Sequence, residues 1–179
     1  MMMIKLEQFD KPDFDRLISW VDSEKFMIQF AGPIFTFPLT TEQLEVYISD
    51  KNRFAFKVIE LETGKVIGHS EIYNSKNKTA KLCRILVGDK KLRGQGLGEA
   101  IVKKLVKFAF NKLSALSIEL NVYSWNTSAI KCYEKVGFVV NTSKSKTTQF
   151  DNNERAAINM TLDKLRWKKA INENRDFRD

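Results

Sequence analysis

At 179 residues, with 43% hydrophobic and 29% charged residues, the chain can bury a core without disulfide or metal staples and is too apolar to be a disordered segment. No run approaches the ~18 apolar residues of a membrane span, and the opening MMMIKLEQFD has neither an extended apolar region nor a small-residue cleavage site, so a soluble, cytoplasmic protein with no membrane role is expected. Cys83 and Cys132 stand far apart without a CxxC partner, which argues against a disulfide framework or a zinc site; both read as reduced core residues, and no metal is expected.

The net charge of +8 is concentrated. Between Lys76 and Lys112 there are eleven Lys or Arg against only Asp89 and Glu99, and the rest is close to neutral. A phosphate-bearing small ligand explains that focus better than a nucleic-acid groove, which would interleave exposed aromatics with the basic residues. RNA or DNA is therefore the disfavoured partner.

In chain order, MIKLEQF reads as a strand. A helix follows over about Pro12 to Val21, with Asp10 or Lys11 near its cap. In AGPIFTFPLT, Gly32, Pro33 and Pro38 interrupt any regular element, and TTEQLEVYISD reads as a helix with Leu44, Tyr47 and Ile48 on one face. RFAFKVIEL and KVIGHSEIYN are alternating runs separated by ETGK, a hairpin signal. AKLCRILVG is a short apolar strand feeding a glycine turn. The next helix places Leu97, Ile101, Leu105, Phe108 and Ala109 on one face, with Lys103, Lys104 and Lys107 opposite. LSIELNVY is a strand, TSAIKCYEK a short helix ended by Gly137, FVVNTSK a strand and RAAINMTLDKL the last strand. One domain over 1–179 is expected, with its core in 3–163 and a charged peripheral tail over 164–179.

The turn, Arg93-Gly94-Gln95-Gly96-Leu97-Gly98, lies between a strand and a helix. Glycines there let main-chain N–H groups approach an anion at the helix N-terminus. The GxxxxGK[ST] phosphate loop is absent, and a dinucleotide GxGxxG fails because Glu99 fills its third glycine position. The surrounding hairpins also contradict the repeating βαβ pattern of a dinucleotide fold.

This [RQ]xxGx[GA] pattern after a strand resembles the GNAT superfamily of acetyl-CoA-dependent N-acetyltransferases. A second block agrees: in NVYSWNTSAIKCYEKVGF, the residues Asn126, Ala129, Tyr133, Gly137 and Phe138 match the family form NxxAxxxYxxxGF. ILVGDKKLRGQGLG is similar to the RimJ/RimL-like branch. The resemblance covers about residues 50–162 and implies an α/β (α+β) fold: a mixed, mostly antiparallel central sheet with a splayed parallel strand pair, flanked by helices.

It also implies a site. The main chain of Ile85, Leu86 and Val87 would pair with the pantetheine arm, with an N–H near Val87 or Gly88 holding the developing oxyanion. Arg93, Gly94, Gln95, Gly96, Leu97 and Gly98 would hold the pyrophosphate, with Lys90, Lys91 or Lys104 meeting the ribose phosphate. Asn126 would bind the cofactor arm or cap its helix. A tyrosine hydroxyl, with an ordinary pKa near ~10, is protonated at neutral pH, so Tyr133 can serve as the general acid for the departing thiolate. Some relatives carry a glutamate base upstream of that tyrosine, at the position where this chain has Asn121. Glu119, His69 and Glu71 are the rival bases, and ordered water is the remaining option.

The expected reaction is transfer of an acetyl group from acetyl-CoA to a primary amine, on a protein N-terminus or a small molecule, by direct attack. A non-catalytic acyl-CoA-binding module that has lost its base is the alternative reading. Homodimers are frequent in the superfamily and are an expectation here.

Overall fold

The computed structural model describes residues 2–150 and 153–173, with side chains over 2–145 and 156–172. Its contacts form two compact units, one of residues 1–73 with 83–101 and the other of 74–82 with 102–179.

The first unit opens with β1 (Ile4–Gln8) and α1 (Phe14–Trp20). Asp10 caps the single 3-10 turn between them: its carboxylate accepts from Lys11 N–H, and Asp13 returns a bond to the Asp10 N–H. Next come α2 (Glu24–Ala31), capped by Ser23, and α3 (Thr41–Ser49), capped by Thr40. β2 (Arg53–Glu60) pairs antiparallel with β1 and with β3 (Val66–Asn74), which confirms the hairpin read from ETGK. Strand order continues to β4 (Thr79–Val87). Phe9, Phe14, Leu17, Met27, Phe30, Phe35, Leu44, Tyr47 and Leu86 are buried in one cluster.

α2 does not appear in the elements expected above. Its residues Met27, Ile28, Phe30 and Ala31 are buried, so the segment before Gly32 is a packed helix, and a 3-10 turn over Gly32–Ile34 follows it, opened by Gly32 with a φ of +63°. Phe30 and Phe35 are in the core, whereas Phe37 is 39% exposed.

Gly88, at the end of β4, is glycine for a packing reason. A Cβ there would lie 2.2–2.5 Å from carbons of the Trp20 indole, inside any tolerable contact. Gly88→Ala must displace that ring, and overpacking of this kind costs about 1–3 kcal/mol. The expected outcome is a lower urea midpoint at unchanged m-value; an unchanged midpoint would mean that Trp20 moves aside freely.

In the second unit, β4 begins after a tight turn in which Asn77 and Lys78 both have positive φ (59° and 55°) and Thr79 N–H bonds Lys76 O. This is the geometry that matches strand twist in two-residue hairpins. Thr79–Lys81 of β4 pair in parallel with Ser117–Glu119 of β5 (Ser117–Tyr123). β5 then pairs antiparallel with β8 (Asn153–Asp163), which also holds β6 (Val139–Val140) and β7 (Lys146–Phe150). The strand expected over FVVNTSK is thus only two residues long, and β7 is additional.

α4 (Leu97–Asn111) buries Leu97, Ile101, Val102, Leu105, Val106, Ala109 and Phe110. Phe110, not Phe108, completes the apolar face, and Phe108 is half-buried. α5 (Thr127–Val136) ends at Gly137, whose φ of +104° makes the left-handed cap that glycine adopts without steric cost. The segment after Asp163 is helical through α6 (Lys164–Glu173), with Trp167 buried and its ring 4.8 Å from Phe110. The expected fold class is therefore observed: an α/β fold with a mixed sheet, one parallel pair and flanking helices. Among the described residues no helix is long and apolar enough to cross a membrane.

Candidate active site

The glycine turn lies in the first unit. Asp89 caps a 3-10 turn over Lys90–Leu92, after which Arg93, Gly94, Gln95 and Gly96 are exposed and Leu97 is buried. Gly94 and Gly96 have φ of +78° and +81°, and a Cβ on either would meet nothing within 4 Å. No neighbour requires these two glycines; the backbone conformation does, and the space before them is open. The first N–H groups of α4 have no intrahelical partner and carry the positive end of the helix dipole, an arrangement that can accept an anion. Arg93 donates from Nε to Val87 O (3.0 Å) and lies over Phe26, and Gln95 donates to Lys91 O (2.8 Å). Both therefore brace the turn. Lys90 pairs with Asp22 at 2.9 Å.

The main chain before the turn is sorted by strand alternation. Gly88 N–H donates to Ile67 O (2.9 Å), and a Cβ on Gly68 would lie 2.4 Å from Leu86 O. The groups of Leu86 and Gly88 thus face β3, while those of Ile85 and Val87 face the other edge. Of the two oxyanion donors expected from sequence, Gly88 is already committed, which leaves the Val87 N–H. The Leu86 side chain is in the core, and Ile85 and Val87 are half-buried.

His69 and Glu71 belong to a buried cluster in the same unit. Glu71, fully buried, receives a fork from Arg84 through Nε and Nη2, a bond from Arg53 Nη1 (2.7 Å) and the Tyr47 hydroxyl (2.5 Å). Burial pushes its carboxyl up, but the hydrogen bonds and charge of Arg84, joined by Tyr47 and Arg53, outweigh this and hold it below the ordinary value. Burial and the Glu71 charge push the Tyr47 hydroxyl well above its ordinary range.

His69 Nε2 is 3.1 Å from the Tyr47 oxygen. Because the single hydroxyl proton of Tyr47 goes to Glu71, that Nε2 carries the hydrogen and donates. Nδ1 then holds a lone pair, buried and without a hydrogen-bond partner among the described residues. The rings of Phe9 and Phe30 pack edgewise on the imidazole at 4.6 and 6.0 Å. Burial pulls the His69 pKa down to about 3, the Glu71 charge opposing and the Arg84 charge adding to the fall. Tyr47, Arg53 and Arg84 are absent from the sequence-based site. The one available signal was an arginine inside the apolar run AKLCRILVG.

In the second unit, Glu119 lies between two lysines, Lys144 at 2.9 Å and Lys81 at 3.3 Å. Partial burial raises its carboxyl, and the two lysines more than reverse this, leaving it below the ordinary value. Asn121 Oδ1 accepts from Asn159 Nδ2 (2.8 Å), and Asn159 also donates to Leu120 O (3.3 Å). Asn126 caps α5: its Oδ1 accepts from Ala129 N–H (3.4 Å) and the Ser128 hydroxyl (3.2 Å). Tyr133 is half-buried on α5, edge-on to Phe138 at 6.1 Å.

A strand, a glycine turn and a helix, with a mixed sheet that includes a parallel pair, define an α/β protein. The sequence pattern of the acetyltransferase (GNAT) family matches residues 16–138, and the chain belongs to that family. It is 24% identical over 106 residues to the SPbeta prophage-derived uncharacterized N-acetyltransferase YokL of Bacillus subtilis, a match covering 58% of this chain and 59% of that protein. The match thus spans about three fifths of the relative's length. Among solved structures, the spermidine N-acetyltransferase of Vibrio cholerae in complex with CoA and spermine superposes with a TM-score of 0.77 at 18% identity, over 92% of this chain and 98% of that one. The aminoglycoside acetyltransferase AAC(6')-Ib with coenzyme A and kanamycin gives 0.74 at 19%, over 94% and 99%. These likenesses establish the fold.

Proposed function

We propose that the protein transfers the acetyl group of acetyl-CoA to a primary amine by direct attack. The observation that carries this reading is the pair of left-handed, unobstructed glycines, Gly94 and Gly96, at the start of α4 in a chain of this family. Acetyl-CoA supplies a thioester activated for attack by an amine. The turn amides from Gly94 to Gly98 bind its pyrophosphate, braced by Arg93 and Gln95. The outward groups of Ile85 and Val87 hold the arm, and the Val87 N–H stabilises negative charge developing on the carbonyl oxygen. Tyr133 delivers a proton to the departing sulfur. Asn126 acts as the α5 cap that orients the helix carrying Tyr133.

Three carboxylate or imidazole bases were in play, and their surroundings weaken each. Glu119 is neutralised by two lysines, Glu71 is held as an anion by two arginines, and His69 has no solvent exposure to speak of. Solvent is therefore assigned the amine's proton. The RimJ/RimL-like pattern supports a protein N-terminus as acceptor, while the polyamine and aminoglycoside bound in the solved neighbours support small amines.

The test is release of free thiol from acetyl-CoA against a panel of spermidine, kanamycin and an N-terminal peptide, alongside calorimetric titration with CoA. Turnover with one acceptor class names it. Binding without turnover on a broader amine panel leaves the alternative of a binding module, and no heat with CoA removes the proposal. Gly96→Ala should raise the CoA Kd about tenfold, because its Cβ enters the anion's approach and a left-handed alanine costs about 1 kcal/mol; unchanged affinity would move the pyrophosphate elsewhere.

A further inference from the structure

Four non-glycine residues among those described have positive φ: Asn77, Lys78, Arg84 and Ser114. Asn77 and Lys78 form the hairpin turn before β4, and Ser114 lies in the loop after α4. Arg84, at φ +49°, is the one inside a strand. A left-handed conformation costs a side-chain-bearing residue about 1–2 kcal/mol, and it persists only where the surroundings over-determine it.

The surroundings of Arg84 do so. Its guanidinium forks onto both oxygens of Glu71, Nη1 lies 3.5 Å from Ala31 O at the end of α2, and the cation sits 5.6 Å from the centroid of the Tyr47 ring. Glu71 is itself fixed by Arg53 and Tyr47, and Arg53 by Asp50 and the faces of Tyr47 and Tyr73. The assembly draws on α2, α3, β2 and β3 to hold one β4 backbone angle. Immediately after it come the residues whose main chain is sorted into inward Leu86 and Gly88 and outward Ile85 and Val87. A relaxation of Arg84 to extended backbone would re-aim the peptide groups that follow.

We propose that Arg84, clamped by Glu71, is a positioning residue: it holds the β4 backbone in the left-handed turn that presents the Ile85 and Val87 main chain to the thioester arm. This rests on the acyl-CoA reading above. Tyr47, His69 and Glu71 then act through the clamp rather than on the substrate.

The experiment compares full-length wild type with Arg84→Gly, Arg84→Ala and Arg84→Lys by calorimetry with CoA and by thermal unfolding. Alanine and glycine lose the same ion pairs, but glycine adopts the left-handed angle without strain. The expected order of CoA affinity is wild type, then glycine, then alanine, with alanine at least tenfold weaker than wild type and glycine recovering several-fold of that loss. Equal affinities for glycine and alanine, or alanine binding as wild type does, would overturn the positioning role. Lysine keeps the charge that Glu71 needs but cannot form the fork, so it provides a folded variant if alanine does not fold; it should bind CoA several-fold more weakly, and wild-type affinity in it also overturns the proposal. A wild type that gives no heat with CoA defeats the functional reading and this inference together, whereas a wild type that binds while the variants match it defeats this inference alone.

Discussion

Tyr133→Phe lowers kcat by about 10²–10⁴-fold, the usual worth of a positioned general acid, and leaves the Kd for CoA unchanged. The substitution removes one oxygen and keeps the ring. Its edgewise contact with Phe138, the Asn126 cap and the Gly137 terminus of α5 stay in place. Protonation of the leaving thiolate is a transition-state event, and a group acting only there changes kcat and kcat/KM together while sparing ground-state binding. Stopped assays at saturating acetyl-CoA, with calorimetry on the same samples, separate the two quantities. Loss of CoA affinity in parallel with kcat would reassign Tyr133 to holding the cofactor arm, and an unchanged kcat would remove it from the acid role.

The parts of this protein that could be read from sequence are those with local signals. The glycine turn is one: Gly94 and Gly96 need φ near +80°, and no other residue type takes that angle so readily. α5 is another, with Asn126 and Gly137 as its two caps. α2 carried a start signal in Ser23, whose hydroxyl accepts from Phe26 N–H. Its Met27, Phe30 and Ala31 are spaced at three and four, but the pattern lasts barely two turns and Gly32 and Pro33 end it at once. β7 is polar and β-branched only at its two threonines, and what makes it a strand is pairing with β8 through main-chain groups that every residue owns.

The buried cluster was illegible for a different reason. His69 and Glu71 were visible as titratable residues on a strand, but β3 is buried on both faces over Ile67–Ile72, so alternation gave no hint of which way they point. Their partners arrive from α3, β2 and β4, separated from Glu71 by 24, 18 and 13 residues. Such a convergence is a property of the fold, and it converts two apparent proton acceptors into parts of a fixed ionic structure.

That conversion has a measurable consequence at His69. Its folded pKa of about 3 lies below the ordinary 6.5, so between those values the unfolded chain binds a proton that the folded protein refuses. Stability linked to His69 is complete above about pH 6.5 and declines as pH falls toward 3, by about 1.4 kcal/mol per unit and by about 4–5 kcal/mol over the whole window. The groups acting on the ring are Glu71 and Asp13, which favour the cation, and Arg84, which opposes it, while burial dominates all three. Glu71, whose own carboxyl is held low, loses its contribution only below the ordinary carboxylate value, so the interval from pH 7.5 to 5 reports chiefly on the histidine. His69→Gln retains an N–H for the Tyr47 oxygen and cannot titrate. Urea unfolding should show wild type losing about 2 kcal/mol more than this variant across that interval. Parallel curves would mean that the imidazole takes up a proton in the folded state near neutral pH, and that alone would return His69 to the candidates for the catalytic base.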